Sequence, residues 1–112
     1  MRIAIRLAEA DRARLGCPDG LVFDRAAVTM RDLRTIQRET GILYGRFMTA
    51  VVDNDGDALH AMVWVALKQA GVDVAFNELD FLAYEASYEV VPEPGKDPSP
   101  ATTSAGSSPS TP

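Results

Sequence analysis

The chain has few of the side chains that build covalent, metal or catalytic centres. Its 112 residues include one Cys and one His. A single Cys excludes an internal disulfide framework, and the two residues together leave very few ligands for a structural zinc site. The GxSxG, HExxH, P-loop and GxGxxG motifs are also missing from the sequence. These absences predict a protein that is not an enzyme and that uses no metal or cofactor.

Long apolar runs are missing as well. The longest strictly apolar run covers residues 61–67, whereas a helix that crosses a membrane needs about 20 such residues. The N-terminal residues contain no continuous apolar signal region. We therefore expect a cytoplasmic protein without a membrane anchor.

The net charge is −5, which makes the chain a poor candidate for a nucleic-acid coat. The charge is also uneven along the sequence. Residues 1–50 carry nine basic and six acidic groups, for a net charge of +3, and residues 51–112 carry two basic and ten acidic groups, for −8. This asymmetry suggests contact surfaces of opposite sign, although a solvated face is the commoner explanation of such a pattern.

Proline is concentrated at the C-terminal end. Residues 92–112 contain six of the seven prolines and eight Ser or Thr residues. Such a segment cannot bury enough apolar surface to offset the entropy lost on folding. The sequence therefore predicts one folded domain, residues 1–91, followed by a disordered tail, residues 92–112.

The first residues favour β-structure. Ile3, Ile5 and Leu7 alternate with less apolar residues, which is typical of a half-buried strand. Residues 8–15 are predicted to form a short helix, and residues 21–23 a second short strand. Together these elements predict an N-terminal β-strand or hairpin.

Helical patterns dominate the middle of the chain. Thr29 is placed to cap a helix that ends at Gly41, with Asp32 in a weaker form of the capping box. Its predicted apolar side consists of Met30, Leu33 and Ile36.

Three more helices are predicted downstream. The first covers residues 42–52, although Gly45 weakens it. Residues 58–70 have the strongest helical spacing of apolar residues, which predicts the central helix. Asn77 is placed to cap a last short helix through Tyr84. The predicted fold class is mainly α: a small helical domain with a short N-terminal β-strand or hairpin and a disordered C-terminal tail.

The sequence supports neither of two candidate chemical sites, a calcium-binding loop and a Cys–His catalytic pair. An EF-hand loop that starts at Asp53 needs Gly at its sixth position and Glu at its twelfth, but these positions hold Ala58 and Trp64. Helix capping explains the acidic turn better. His60 and Cys17 do not establish a catalytic pair, because the sequence contains one residue of each type and no orienting partner can be assigned.

A helix-turn-helix outline is a further alternative. Three arginines share one face of the helix that ends at Gly41, namely Arg31, Arg34 and Arg38. The helix that would enter the major groove offers few polar side chains, namely Tyr44, Arg46 and Thr49. A small DNA-binding regulator is therefore the weaker interpretation, because base recognition needs more groups that can reach bases and phosphates.

Four stretches, in this order and spacing, resemble tail assembly chaperones of long-tailed actinobacterial phages. They are a strand followed by an acidic-basic helix, a capped helix that ends in Thr-Gly, a Trp-containing helix that ends in Ala-Gly, and an apolar-acidic segment. In this sequence they cover residues 7–12, 28–42, 57–71 and 74–81. The resemblance extends over about residues 1–91.

The resemblance implies a non-enzymatic function in virion assembly. Such chaperones bind the tape measure protein and keep it soluble until the tail tube polymerises around it. The resemblance also implies contact with the tail tube protein and with a longer form of the chain made by a programmed −1 frameshift, for which Gly95-Lys96 is a possible site. It further implies residence in the host cytoplasm and absence from the mature virion.

An apolar groove on a small helical domain suits an amphipathic helix from a client. The candidate partner-binding residues are Trp64, Leu67, Phe76 and Phe81. On this interpretation, Trp64→Ala weakens client binding without unfolding the domain. The alternative is that these aromatic residues belong to the core, which is the default for apolar residues at helical spacing, and loss of folding in Trp64→Ala would assign Trp64 to it. Self-association into a homo-oligomer is also expected of a small apolar helical domain.

Two alternatives to the chaperone stay open. Salt-dependent binding to duplex DNA would support the regulator. Presence in purified virions would support a structural tail or head-completion protein.

Overall fold

A computed structural model describes residues 1–92, which form three β-strands and four α-helices. In chain order these are β1 (Arg2–Arg6), α1 (Glu9–Leu15), β2 (Leu21–Asp24), α2 (Met30–Thr40), α3 (Phe47–Val52), α4 (Gly56–Gln69) and β3 (Ser87–Val91). Helices account for more residues than strands, which confirms the prediction of a mainly helical domain with an N-terminal strand. The predicted disordered tail lies outside the described residues from residue 93 onwards.

The strands form one antiparallel sheet in the order β2-β1-β3. Ile3 and Ile5 of β1 face the core, and their partners in β2 are Phe23 and Leu21. All four side chains are buried. The sequence predicted this alternation and the first two strands, because residues on one face of a strand recur with a period of two.

The third strand was not predicted from the sequence. β3 pairs with the other side of β1, so that Tyr88 lies opposite Ile5 and Val90 lies opposite Ile3. The predicted hairpin is therefore the N-terminal part of a three-stranded sheet. β1 becomes its central strand.

Helix α2 begins and ends as predicted. The Thr29 side chain accepts a hydrogen bond from the Asp32 backbone N–H at 3.1 Å, and the Asp32 carboxylate accepts one from the Thr29 N–H at 3.4 Å. Gly41 ends the helix with a φ of 79°, a conformation that glycine adopts without steric cost. Ile36 is buried, whereas Met30 is exposed, so the predicted apolar side is narrower than expected.

Helix α4 is the central element of the core, as predicted. The Asp55 carboxylate caps it by accepting the backbone N–H groups of Asp57 and Ala58 at 2.9 and 3.2 Å. Residues 61–67 are all buried because the helix packs on β2 at one side and on α2 and α3 at another. At its end, Gln69 donates to the Asp24 carbonyl and accepts the Asp24 N–H, which ties α4 to β2.

The predicted helix over residues 42–52 is shorter in the structure. A 3-10 turn covers Tyr44–Arg46, and α3 begins only at Phe47. The Thr40 hydroxyl accepts the backbone N–H of Ile42 at 3.1 Å. This bond and the left-handed conformation of Gly41 hold the chain out of helical geometry after α2.

The predicted helix from Asn77 to Tyr84 is absent, so this prediction is wrong. Two short 3-10 turns, Phe76–Glu78 and Ala83–Glu85, replace it. The Asp80 carboxylate accepts the N–H of Phe81 at 2.9 Å, a local bond that competes with a helical hydrogen bond. Residues 72–86, the covering segment, instead run across α4 and pack apolar side chains against the core.

Candidate functional site

An aromatic cluster lies between α4 and the covering segment. The rings of Trp64 and Phe76 meet edge to face with centroids 5.3 Å apart, and those of His60 and Phe76 do so at 4.9 Å. Phe81 completes the cluster at 6.3 Å from His60. These separations are within the range in which aromatic pairs stabilise a fold beyond the area that they bury.

Two polar atoms of the cluster bind the backbone of the covering segment. The Trp64 Nε1–H donates to the Val74 carbonyl at 3.0 Å, and the His60 Nε2 lies 3.0 Å from the Leu79 carbonyl oxygen. Each ring therefore satisfies a buried carbonyl that the irregular backbone leaves without a helical partner. His60 has a structural role here, which agrees with the interpretation that the sequence favoured.

Helix α1 binds the same segment from another side. The buried Asp11 carboxylate accepts the Leu82 backbone N–H at 2.9 Å, and Arg14 donates to the Asp80 carbonyl at 2.6 Å. Asp11 and Arg14 also form an ion pair at 2.8 Å. The Leu82 N–H, followed by Arg14, holds the pKa of Asp11 below its ordinary value.

The two buried carboxylates predict a loss of stability in acid. At Asp32, burial acts to raise the pKa, but the bonds from Lys68 and Thr29 outweigh burial and lower the pKa overall. A carboxylate with a lowered folded-state pKa stabilises the fold above its unfolded pKa of about 4, and this contribution is lost as the pH falls. We expect the midpoint of urea unfolding to be lower at pH 3 than at pH 6. Asp11→Asn should reduce that difference, and an unchanged difference would contradict the role of Asp11.

The predicted partner-binding residues lie inside the domain. Leu67 is fully buried, and Trp64 is only 6% exposed. Phe76 and Phe81 are half-buried and pack against the core. The structure thus brings Trp64, Phe76 and Phe81 together as the internal contact of the covering segment, while Leu67 belongs to the core. Leu67 and Trp64 therefore offer almost no surface to a partner, and Phe76 and Phe81 offer only part of theirs.

Lys68 extends the cluster towards α2. Its ammonium group lies 2.8 Å from an Asp32 carboxylate oxygen and 4.7 Å from the centroid of the Trp64 ring. The ion pair fixes α4 to the first turn of α2, and the cation lies over the electron-rich face of the indole. This contact places a charged group over one face of the Trp64 ring.

Apolar side chains are exposed at the connection between α2 and α3. Leu43 is 57% exposed and Tyr44 63%. Leu43 lines an open depression of about 390 Å³, the α3 groove, whose other apolar lining residues include Ile42 and Ala50. Its polar margin includes Arg46, Thr49 and Asp53. The sequence did not identify this surface, because its residues were assigned to a regular helix.

A second depression lies on the other side of the same connection. This β2–α3 cavity has a volume of about 190 Å³. Its apolar lining includes the buried rings of Phe23 and Phe47 together with Leu33 and Met48. Arg25 and Tyr44 also line the cavity and are exposed, so they lie at its opening.

The other polar features of the sequence have structural roles or remain solvated. Asp55 caps α4, and residues 1–92 contain no group of three or more His, Cys, Asp or Glu side chains placed to hold a metal ion. Arg31, Arg34 and Arg38 are exposed on α2. The adjoining α3 has six residues and exposes only Thr49 and Val52, a poor surface for reading bases.

Comparison of the chain with family models, curated proteins and solved structures returned no match. Within residues 1–92, no helix combines the length and apolar character that crossing a membrane requires.

Proposed function

We propose that the chain is a phage tail assembly chaperone that binds an apolar helical segment of the tape measure protein. The sequence resemblance supports this function, and the exposed Leu43 beside the α3 groove is the structural observation that carries it. The groove replaces the aromatic cluster as the proposed contact surface, since the cluster is already occupied by the covering segment.

The α3 groove has the composition that an amphipathic helix requires. Its lining combines the apolar side chains of Ile42, Leu43 and Ala50 with a cationic residue, Arg46, and an anionic one, Asp53. Apolar residues on one helix face can enter such a groove while the polar face stays in water. Val52 lies one turn after Thr49 on α3 and is 70% exposed, so it extends the apolar surface beyond the groove.

A chaperone of this kind needs a stably folded core beside a surface that is open to the client. α3 packs on α4, and Phe47 and Val51 anchor it with side chains that are at most 6% exposed. The α3 groove on the opposite side of this helix is therefore open to a client without any part of the domain having to unfold first. The acidic net charge keeps a complex with an apolar client soluble. On this proposal the protein acts in the host cytoplasm before the tail tube closes around the client.

Leu43→Asp is expected to weaken binding of a tape measure fragment at least tenfold. Burying a leucine side chain contributes about 1.5–3 kcal/mol, and 1.4 kcal/mol corresponds to a factor of ten in affinity. The measurement is the amount of tape measure fragment that stays soluble when the two proteins are made together, with a titration of the purified pair.

Met30→Asp is the matched control, because Met30 is 58% exposed, close to the 57% of Leu43. Met30 begins α2 and does not line the α3 groove. This variant should solubilise the fragment as the wild type does. Equal solubilisation by Leu43→Asp and the wild type would overturn the proposed contact surface, and failure of the wild type itself would overturn the chaperone proposal.

A further inference from the structure

The last part of the covering segment, which leads into β3, carries exposed acidic and apolar side chains. Tyr84 is fully exposed at 101%, and Leu82 is 55% exposed. Asp80 and Glu85 flank them, and neither carboxylate forms an ion pair with another residue of the range 1–92. Residues 80–85, the acidic tip, therefore combine a free aromatic ring with uncompensated negative charge.

The β2–α3 cavity has complementary properties. Apolar residues make up most of its lining, beside the polar groups of Arg25 and Tyr44, and its volume of about 190 Å³ is sufficient for an aromatic ring, since a cavity of about 150 Å³ accepts benzene. Arg25 at its opening has no carboxylate partner within residues 1–92. The cavity thus offers contacts with several apolar side chains to a ring, and a cation to an adjacent carboxylate.

The strand register places these two features at opposite ends of the sheet. β3 begins with Ser87 opposite Arg6, so the acidic tip lies near the end of β1. β2 ends with Asp24 opposite Arg2, so Arg25 and the cavity lie near its beginning. One chain cannot bring its own tip to its own cavity, because the length of β1 separates them.

We infer that copies of this chain associate head to tail, with Tyr84 of one copy in the β2–α3 cavity of the next and Glu85 beside Arg25. Such an interface joins two different surfaces, so each bound copy keeps one free tip and one free cavity. Repetition closes a ring or extends a filament. This inference does not rest on the proposed function, since it involves neither the client nor the α3 groove.

The experiment compares full-length variants by sedimentation over a range of protein concentrations, without client. Tyr84→Ser and Arg25→Glu should each weaken association at least tenfold. At protein concentrations low enough for the wild type to be monomeric, their unfolding midpoints should match that of the wild type, because both altered side chains are exposed. Mixing the two variants should produce a dimer and nothing larger, because one supplies the intact cavity and the other the intact tip.

The double variant Arg25→Glu/Glu85→Arg should recover association, since the exchange restores opposite charges at the interface. A wild type that stays monomeric up to about 1 mM, the limit of weak binding, would overturn the inference. So would unchanged association of Tyr84→Ser. A mixture of Tyr84→Ser and Arg25→Glu that remains monomeric would also overturn it. In each case the solubilisation test at Leu43 is unaffected, so the two proposals fail separately.

Discussion

Replacing Trp64 with alanine should lower the free energy of unfolding by about 3–5 kcal/mol, the usual cost of deleting a large buried aromatic side chain. Trp64 is 6% exposed and packs edge to face with Phe76. The change also removes the Nε1–H that binds the Val74 carbonyl. That carbonyl would be left without its donor, which adds to the cost of the cavity.

Urea unfolding followed by far-ultraviolet circular dichroism measures this effect, because Trp64 is the single tryptophan and its removal eliminates the fluorescence signal. Leu43→Ala is the control. Its side chain is mostly exposed, so its unfolding free energy should change by no more than about 0.5 kcal/mol. A Trp64→Ala protein that unfolds at the wild-type midpoint but loses client binding would restore the sequence-based prediction that Trp64 is a contact residue.

Ending the chain after Ala86 should lower the free energy of unfolding by at least about 3 kcal/mol. The truncation removes β3, whose ladder hydrogen bonds contribute about 0.5–1.5 kcal/mol each. It also uncovers one side of Ile3 and Ile5, which lie opposite Val90 and Tyr88. A two-stranded antiparallel ribbon is only marginally stable in water without further packing.

A chain that ends after Pro92 is the matched control, because it keeps all of β3. Its unfolding midpoint should equal that of the full chain, since residues 93–112 have too little apolar surface to form a core. The measurement is chemical unfolding of the three proteins under one set of conditions. Equal midpoints for all three would show that β3 contributes nothing to stability.

Local signals in the sequence predicted the elements that are stabilised locally. Thr29 and Asp32 form the capping box, and Gly41 ends α2. The apolar spacing of residues 58–70 identified α4 as central because a helix buried on several sides must be apolar on several faces. β1 followed from the alternation of Ile3, Ile5 and Leu7, and the strand predicted over residues 21–23 lies within β2.

Elements that depend on distant partners were not predictable in the same way. Tyr88 and Val90 alternate with polar residues, but the pattern is short and stops at Pro92. Val90 is 63% exposed although it lies on the inner side of the sheet. Its pairing with β1 becomes evident only when the register of the strands is known.

At the candidate site, the path of the covering segment was likewise not predictable from the sequence. Its path depends on side chains of α1 and α4, including Asp11, His60 and Trp64, that bind its backbone from other parts of the chain. Periodicity does not reveal such bonds. The aromatic residues were therefore named as candidate partner-binding residues, although the contacts that the structure gives Trp64 and Phe76 lie within the chain, and the exposed Leu43 was not selected.

The central position of β1 determines the order in which the domain can be completed. β2 follows β1 closely along the chain, whereas β3 comes after all four helices. Closing a long loop carries a larger entropic cost, and long-range strand pairing slows folding. The hairpin and the helices can therefore form while one edge of β1 is still unpaired. During that interval the apolar strand is a template for intermolecular pairing, so arrival of β3 ends the period in which the folding chain is most prone to aggregate.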